Sequence, residues 1–464
     1  MLTVYLKPNS KKPMYEQLYS FLKDEIKKGN LKKGEKLPSS RALSSHLGIS
    51  RSTVDTAYQQ LVAEGYIIAS PKRGYFIAEI DKLLNIVPIA HMPSFFDMPE
   101  KEPDMLYDFA PVANEIENFP DNVWRRLSRE CINYDNGSLF LDNDAKGSKE
   151  LRQKIAQYLR ANRGIITDAE HIILGAGSQY LLMLLFRLFK QGSLVAMENP
   201  AYTTAYKTIE ALGLSICPAN VDEGGMSIEY LEKSEANIAY VTPSHQFPTG
   251  IVMPITRRAK LLNWANYNPG RYIIEDDYDS EFRYQGKPIP ALLSMDKSDR
   301  VVYLGTFSKA LSSAIRMSYM VLPDELLNAF NSLFRNFSCT VSKLDMAIMT
   351  KFINGGDFER HINRLRNKYR IRHDALIKAL KQFGENAVIN STSTGSSLLL
   401  EWRGEMDSEA LVKAAKEKGI KLYPLESYTI GSYLVQYPTF VMGYVKLDEN
   451  EIAAAIKELV QIFR

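Results

Sequence analysis

A lysine, a cluster of carboxylates and several segments rich in glycine and hydroxyl groups are the parts of this 464-residue sequence that could do chemistry. They lie in five short polar segments, each directly after an apolar run, at residues 175–179, 198–202, 242–250, 275–278 and 305–309. Each segment alone is a weak signal, because a glycine turn usually only turns the chain and a lysine usually lies on the surface. Together they offer an anion cradle, an aromatic ring, a carboxylate and an amine, which is the set that pyridoxal 5'-phosphate (PLP) requires.

Residue type and position suggest a role for each of these groups. Lys309 would form the Schiff base with the PLP aldehyde, and Asp276 would face the pyridine nitrogen. Tyr278 would donate to the ring phenolate oxygen, and Tyr202 would stack on the ring face. The phosphate would be bound by a helix N-terminus and by hydroxyl and guanidinium groups near the lysine, namely Gly177, Ser178, Thr306, Ser308 and Arg316.

The elements that would position these groups are five apolar runs that alternate with helical stretches. The runs lie at residues 171–174, 193–197, 238–241, 271–274 and 301–304. This alternation predicts an α/β fold with a mostly parallel sheet covered on both faces. Ligands of such sheets bind beyond the carboxyl ends of the strands, which is where the five polar segments stand.

The first 79 residues form a separate, basic part of the chain. They carry a net charge of +6, so the remaining residues carry −3. Three helical patterns, with a short turn at residues 48–49 between the last two, precede two strand-like runs around a basic tip at residues 70–73. Helix, tight turn and helix is the geometry by which a helix enters a DNA major groove. A protein-binding three-helix bundle is the alternative that the pattern leaves open.

Candidate DNA contacts follow from this geometry. Ser50 would cap the third helix, where short polar and basic side chains reach base edges and phosphates. The outward-facing residues at the start of that helix are Arg51, Ser52 and Thr53. Arg41 and Arg73 would bind the DNA backbone from either side, and Gly74 completes the basic tip.

Both parts of the chain resemble known families. The string LPSSRALSSHLGISRSTVDTAYQQLVAEGYIIASPKRGYFIAE resembles the winged helix-turn-helix of the GntR family. The segments TPSHQFPTG, IIEDDYDSEF and GTFSKALSSAIRMSYMVLP resemble its MocR-type branch, in which that head is fused to an aminotransferase-like body of fold type I. The resemblance implies a head at 1–79, a linker at 80–106 and a body at 107–464 that ends in a small α+β domain. It also implies a PLP-dependent transcription regulator that binds a double-stranded DNA operator as a head-to-tail homodimer.

Two departures from working aminotransferases bear on activity. The late strand that would carry the arginine for the substrate carboxylate reads FVMGYVKL at residues 440–447, and its Lys446 lies past the expected position. Phe247 stands where aminotransferases place an asparagine on the ring oxygen, so His245 or Gln246 would have to contact the cofactor instead. We therefore expect poor turnover and a body that senses an amine, an amino acid or PLP itself. The alternatives are an active aminotransferase that also binds DNA and a dimerisation scaffold without cofactor.

A third departure concerns the effector. The γ-aminobutyrate-sensing member of the family holds the effector carboxylate with arginines after the stacking tyrosine and in the C-terminal domain. Here Thr203 and Thr204 follow Tyr202, and residues 423–428 contain no arginine. We predict that γ-aminobutyrate is not the effector.

Composition and sequence pattern bear on several other classes of protein: disordered, membrane-spanning, secreted and metal-binding proteins. Hydrophobic residues make up 45% and charged residues 24% of the chain, which is typical of folded proteins and not of disordered ones. No apolar run approaches the roughly 18 residues of a membrane span, and the first residues lack a signal-peptide segment, so we expect a cytoplasmic protein. Cys131, Cys217 and Cys339 are scattered without CxxC spacing, and no metal site is predicted. Four prolines between residues 88 and 103 indicate the linker.

Overall fold

The computed structural model describes residues 4, 6–7, 12–79, 105–112, 118–132, 137–141, 144–284, 286, 289–391, 394–431, 433 and 435–463. The chain divides into two compact units, residues 1–102 and 103–464. The expected linker falls almost entirely on residues 80–104, which lie outside the described residues. Within the described part of the chain, no helix is long and apolar enough to cross a membrane.

The first unit contains three helices followed by a two-stranded antiparallel sheet, as the sequence predicts. Its elements are α1 Met14–Lys27, α2 Ser40–Leu47, α3 Arg51–Ala63, β1 Ile67–Ser70 and β2 Gly74–Ile77. The inward-facing side of α3 carries Val54, Tyr58 and Leu61, which are fully buried. Their burial packs α3 against α1 and α2 and leaves the opposite face of α3 to solvent.

Side-chain caps explain where α2 and α3 begin. The Ser39 hydroxyl accepts a hydrogen bond from the backbone amide of Ala42, and the Ser50 hydroxyl accepts one from the amide of Thr53, both at 3.2 Å. The helix α2 ends at Gly48, whose φ of 65° is a left-handed conformation that glycine adopts without strain. The predicted short turn between the two helices is therefore confirmed.

The second unit begins with β3 and ends with α14. Its elements in chain order are β3 Tyr107–Asp108, α4 Asp121–Ile132, α5 Lys149–Arg163, β4 Ile172–Gly175, α6 Ser178–Leu185, β5 Leu194–Asn199, α7 Thr203–Ala211, β6 Ser215–Asp222, β7 Gly225–Met226, α8 Ile228–Lys233, β8 Ile238–Val241, α9 Ile255–Tyr267, β9 Tyr272–Asp277, β10 Val301–Thr306, β11 Ser318–Val321, α10 Asp324–Leu333, α11 Lys343–Asn354, α12 Asp357–Leu380, β12 Ala387–Asn390, β13 Ser397–Trp402, α13 Ser408–Glu417, β14 Ile420–Lys421, β15 Thr439–Gly443 and α14 Glu449–Phe463.

An eight-stranded sheet forms the centre of this unit, in the order β4-β11-β10-β9-β8-β5-β6-β7. The neighbours from β10 through β9, β8 and β5 to β6 pair in parallel, whereas β11 and β7 run antiparallel to their neighbours. The five apolar runs of the sequence are β4, β5, β8, β9 and β10. The predicted mostly parallel sheet is confirmed.

Helices cover both faces of the sheet, because successive strand residues point to opposite sides. On β10, Tyr303 packs into a core with α5 and α11, whereas Val302 and Leu304 pack into a second core with α6 and α10. The two cores therefore lie on opposite faces of the sheet.

The C-terminal part of the unit is a small α+β domain, as expected. The strands β12, β13 and β15 form an antiparallel sheet whose side chains pack with α12, α13 and α14 around Trp402, Phe440 and Phe463. The short strand β3 pairs in parallel with β14. This pairing ties the first described residues of the unit to its C-terminal domain.

Candidate functional site

A cavity of about 170 Å³ opens beyond the carboxyl ends of the central strands, where the sequence predicts a ligand site. The segment after β10 supplies Lys309, the segment after β9 supplies Tyr278, and the start of α6 supplies Ser178. The described residues that line the cavity are Val112, Ser178, Leu181, Tyr202, Phe247, Asp276, Tyr278, Leu304, Gly305, Thr306, Ser308, Lys309, Ser313 and Arg316.

Eight of the ten residues predicted to bind the cofactor lie on this wall. They are Ser178, Tyr202, Asp276, Tyr278, Thr306, Ser308, Lys309 and Arg316. Of the other two, Gly177 stands directly before α6, and His245 lies behind Tyr278. The structure therefore brings together side chains that are spread over about 140 residues of sequence.

The start of α6 and Arg316 together form a cradle for an anion. Gly177 has a φ of 96°, and a Cβ at this position would lie 2.2 Å from Nη2 of Arg316. Only glycine therefore lets the guanidinium lie beside the first amides of the helix, whose dipole attracts negative charge. Arg316 itself has a φ of 49° and donates from Nη2 to the carbonyl of Ala176 at 3.3 Å.

The segment from β9 alternates between the cavity and the protein interior. Asp276 and Tyr278 face the cavity, whereas the acidic residues on either side of Asp276 bind structural partners. Glu275 accepts hydrogen bonds from the backbone amides of Leu292 and Leu293 at 2.7 and 2.8 Å. The Oδ2 atom of Asp277 lies 2.8 Å from Nε of the buried Arg163. Strand alternation thus places the carboxylate of Asp276 toward the cavity and those of Glu275 and Asp277 toward the protein interior.

Asp276 is held by the hydroxyl group of Tyr240, which donates a hydrogen bond to Oδ2. Burial raises the pKa of Asp276 to about 6, and the Tyr240 hydrogen bond partly opposes that rise. A carboxylate in this position can accept a hydrogen bond from a protonated ring nitrogen.

Lys309 lies partly buried between the first residues of the unit and the C-terminal domain. Its Nζ atom is 3.5 Å from the carbonyl oxygen of Pro111 and 3.4 Å from Oγ of Ser396. Burial lowers the pKa of Lys309 to about 8, although the charge of Asp279 acts in the opposite direction. A substantial fraction of the amine is therefore neutral near pH 7 to 8, as a nucleophilic lysine requires.

Phe247 is a wall residue for which the sequence indicated no role. Its ring makes edge contacts with Tyr202 and Tyr278 at centroid distances of 5.6 and 6.0 Å, and a third with Tyr428 at 5.3 Å. It follows β8 in the polar segment 242–250, at the position where aminotransferases place an asparagine, and those were the two available signals. Phe247 thus makes apolar the part of the wall where aminotransferases place an asparagine.

The two residues considered as replacements for that asparagine have different surroundings. The side-chain amide of Gln246 donates to the carbonyl oxygens of Pro200 and Phe247 at 2.8 and 2.7 Å, and its oxygen accepts from the Thr249 amide at 3.1 Å. Its polar atoms therefore hold the loop together. The Nδ1 atom of His245 instead lies 3.0 Å from the Tyr278 hydroxyl.

No described cavity residue except Lys309 and Arg316 carries a positive charge. In the stretch 440–447, Phe440 and Met442 are buried in the core of the small domain. Lys446 forms an ion pair with Asp108. It thus already has an acidic partner in β3.

The first unit places the candidate DNA contacts at the start of α3 and at the sheet tip. Arg51 and Ser52 are exposed, and Nε of Arg51 lies 3.5 Å from Asp55 one turn further along the helix. Thr53 is half-buried beside them, and Ser50 is the α3 cap. Arg41 on α2 is exposed as well.

The sheet tip presents a second basic surface. Arg73 is exposed, and its guanidinium lies 5.6 Å from the centre of the Phe76 ring. Gly74 follows with a φ of 105°, and a Cβ there would come within 3.3 Å of the Lys36 side chain. The geometry of the unit is that of a winged helix-turn-helix.

The folds and sites define a class of protein in which a winged helix-turn-helix and an aminotransferase-type α/β unit share one chain. Residues 14–77 match the family model of bacterial regulatory proteins of the gntR family, and residues 109–456 match that of class I and II aminotransferases. The chain is 37% identical to the HTH-type transcriptional regulator YhdI of Bacillus subtilis, over 99% of this chain and 97% of the relative. It is 32% identical to the probable rhizopine catabolism regulatory protein MocR of Rhizobium meliloti, over 97% of this chain and 94% of the relative.

Solved structures of aminotransferases share the fold of the α/β unit. The kynurenine aminotransferase of Pyrococcus horikoshii superimposes with a TM-score of 0.69 at 26% identity, covering 78% of this chain and 91% of that one. The multiple substrate aminotransferase of Thermococcus profundus superimposes with a TM-score of 0.70 at 24% identity, covering 78% and 92%. The chain belongs to the MocR-type transcriptional regulators of the GntR family, and both fold predictions are confirmed.

Proposed function

We propose that the aminotransferase-like unit binds PLP and that its ligand state controls how the winged helix-turn-helix binds a double-stranded DNA operator. The observation that carries the proposal is the joint presence of Lys309, Asp276, Tyr278 and the Gly177–Arg316 cradle around one cavity. Each of the four matches a different chemical group of PLP.

The donor set fits the cofactor. The first amides of α6, Arg316 and the hydroxyls of Ser178, Thr306 and Ser308 would hold the phosphate. Asp276 would hold a proton at the ring nitrogen, Tyr278 would donate to the ring oxygen, and the ring would stack on Tyr202. When bound, PLP supplies an aldehyde that reacts with amines and a ring that withdraws electrons. Lys309, with its pKa of about 8, would hold the cofactor covalently.

The effector would be an amine, an amino acid or PLP itself. A relative that is 29% identical over 99% of this chain and 98% of its own length is named the HTH-type pyridoxine biosynthesis transcriptional regulator PdxR of Corynebacterium glutamicum. The described cavity wall has no cation besides Lys309 and Arg316, which disfavours a ligand whose carboxylate must be held there. An effector acts by binding one arrangement of the protein better than another, so its influence is limited by that difference in affinity.

The protein would act in the cytoplasm as a head-to-tail homodimer. The wall residues Val112, Ser313 and Arg316 are exposed in the single chain, and Val112 is 45% exposed. A second chain that covered this side would enclose the cavity and bury apolar surface. It would also present two winged units to a two-part operator.

The test uses the purified full chain, PLP, and DNA fragments from the flanks of its own gene. We expect wild type to develop a visible absorption band with PLP, and we expect PLP to change its affinity for one of these fragments. Lys309→Ala should show no band and no PLP-dependent change, while its DNA affinity without PLP stays at the wild-type value. A wild-type protein that is colourless after incubation with PLP and removal of the unbound PLP would refute the proposal. Steady turnover of an amino donor with a keto acid would favour the aminotransferase instead.

A further inference from the structure

His245 and Asp279 form a buried pair behind Tyr278 to which the proposed cofactor contacts assign no role. The Nδ1 atom of His245 lies 2.9 Å from Oδ2 of Asp279 and 3.0 Å from the hydroxyl oxygen of Tyr278. His245 is 4% exposed and Asp279 is 2% exposed. The second ring nitrogen, Nε2, is buried and makes no hydrogen bond with any described residue.

The partners of Nδ1 determine where the imidazole hydrogen lies. A carboxylate only accepts hydrogen bonds, so the ring nitrogen that faces Asp279 carries the hydrogen. A nitrogen that carries a hydrogen cannot accept one from Tyr278. The hydroxyl hydrogen of Tyr278 therefore points away from His245, and the hydroxyl group is free to donate into the cavity that Tyr278 lines.

Asp279 also competes for this hydroxyl hydrogen. Burial raises the pKa of Tyr278 well above its ordinary value, and the negative charge of Asp279 adds to that rise. The hydrogen bond from His245 occupies Oδ2 of the carboxylate. Without the imidazole, the carboxylate would be free to bind the Tyr278 hydroxyl and turn it away from the cavity.

The small domain fixes the imidazole in place. A Cβ at Gly395 would lie 2.1 Å from Cε1 of His245, so only glycine allows the chain before β13 to pass this close to the ring. The carbonyl oxygen of Gly395 accepts hydrogen bonds from the hydroxyls of Tyr284 and Tyr444. His245 is therefore held in one orientation from both sides.

We infer that His245 is a positioning residue which, together with Asp279, directs the hydroxyl hydrogen of Tyr278 into the cavity toward the ring oxygen of the cofactor. The inference rests on the proposed function, because it needs PLP in the cavity. The charge of Asp279 acts on Lys309, Asp276, Tyr284 and Tyr444 as well, so a test must leave Asp279 unchanged.

The test compares two substitutions of His245 in the full chain loaded with PLP. The amide nitrogen of His245→Asn stands close to the position of Nδ1 and still donates to Asp279, whereas His245→Leu keeps the volume and loses the donor. The readouts are the pH midpoint of the visible band and the Kd for PLP. We expect the asparagine variant to keep the wild-type midpoint. The leucine variant should raise it by about one pH unit, because a ring oxygen without its donor holds negative charge less well.

A double-variant cycle separates this role from packing. Tyr278→Phe should raise the midpoint as much as His245→Leu, and the two together should raise it no further. A wild-type midpoint in His245→Leu, or additive shifts in the double variant, would overturn the inference. If His245→Leu does not fold, His245→Met takes its place, since methionine adapts to the same space without a donor. A wild-type protein without any visible band would instead refute the cofactor proposal.

Discussion

A Cβ atom at position 177 would lie 2.2 Å from Nη2 of Arg316, so the guanidinium occupies space that only glycine leaves open. The two residues are 139 positions apart, one directly before α6 and the other after β10. Both have left-handed backbone conformations, with φ values of 96° and 49°. Because each limits the position of the other, the anion cradle depends on a close backbone approach as well as on charge.

Gly177→Ala should weaken PLP binding at least about tenfold, which corresponds to roughly 1.4 kcal/mol. The added methyl group displaces Arg316 and strains the backbone at a positive φ. A PLP titration followed by absorbance measures the loss. Gly213→Ala is the matched control, because Gly213 also has a positive φ, of 75°, but no described atom lies within 4 Å of its Cβ position. Equal losses of PLP affinity in the two variants would contradict the cradle.

The rate of covalent PLP capture should rise with pH up to about 8 and then level off. Burial lowers the pKa of Lys309 to about 8, and only the neutral amine attacks the aldehyde, so the reactive fraction saturates above that pH. Rapid mixing of the cofactor-free protein with PLP between about pH 6 and 10 tests this. A rate that continues to rise toward pH 10 would show a lysine with its ordinary pKa near 10.4.

Glu275 and Asp276 are adjacent, but their substitutions should change different properties: the stability of the protein for Glu275 and its PLP affinity for Asp276. Glu275→Gln should lower the free energy of unfolding by about 1 to 3 kcal/mol, because it removes one acceptor for the amides of Leu292 and Leu293, with little change in PLP affinity. Asp276→Asn should leave stability nearly unchanged and weaken PLP binding at least about tenfold. Chemical denaturation without PLP and a PLP titration measure the two effects. If Asp276→Asn keeps the wild-type PLP affinity, Asp276 does not contribute to PLP binding.

Arg51→Ala should weaken operator binding by about 1 to 3 kcal/mol if its side chain contacts a base. Lys28→Ala removes the same charge from the exposed end of α1 and should cost less, since it affects only long-range attraction. Fluorescence anisotropy with a labelled fragment compares the two. If Arg51→Ala and Lys28→Ala lose the same DNA affinity at every DNA sequence tested, Arg51 contributes charge alone.

γ-Aminobutyrate should not bind to the PLP-loaded protein. The described cavity wall has no cation besides Lys309 and Arg316, and Lys446 is paired with Asp108. Isothermal titration checks this, with PLP added to the cofactor-free protein as the positive control. Tight binding of γ-aminobutyrate that disappears in Lys309→Ala would show this prediction to be wrong.

Much of the fold could be predicted from local patterns. Apolar runs of four or five residues predicted β4, β5, β8, β9 and β10, and the cap at Ser50 predicted the start of α3. Polar segments directly after those strands identified the cavity, because parallel strands end at one edge of a sheet. These signals lie within a few residues of each other along the chain, so a single sequence contains them.

The sequence by itself determined the two folds and most of the residues that meet at the cavity, because hydrophobic periodicity and strand direction depend on neighbouring residues. Only the tertiary structure decided that Phe247 lines the cavity, that His245 lies behind Tyr278 and that Lys446 pairs with Asp108. Such contacts join residues that are 33 to 338 positions apart, and they arise from side-chain packing in three dimensions, for which local spacing leaves no signal.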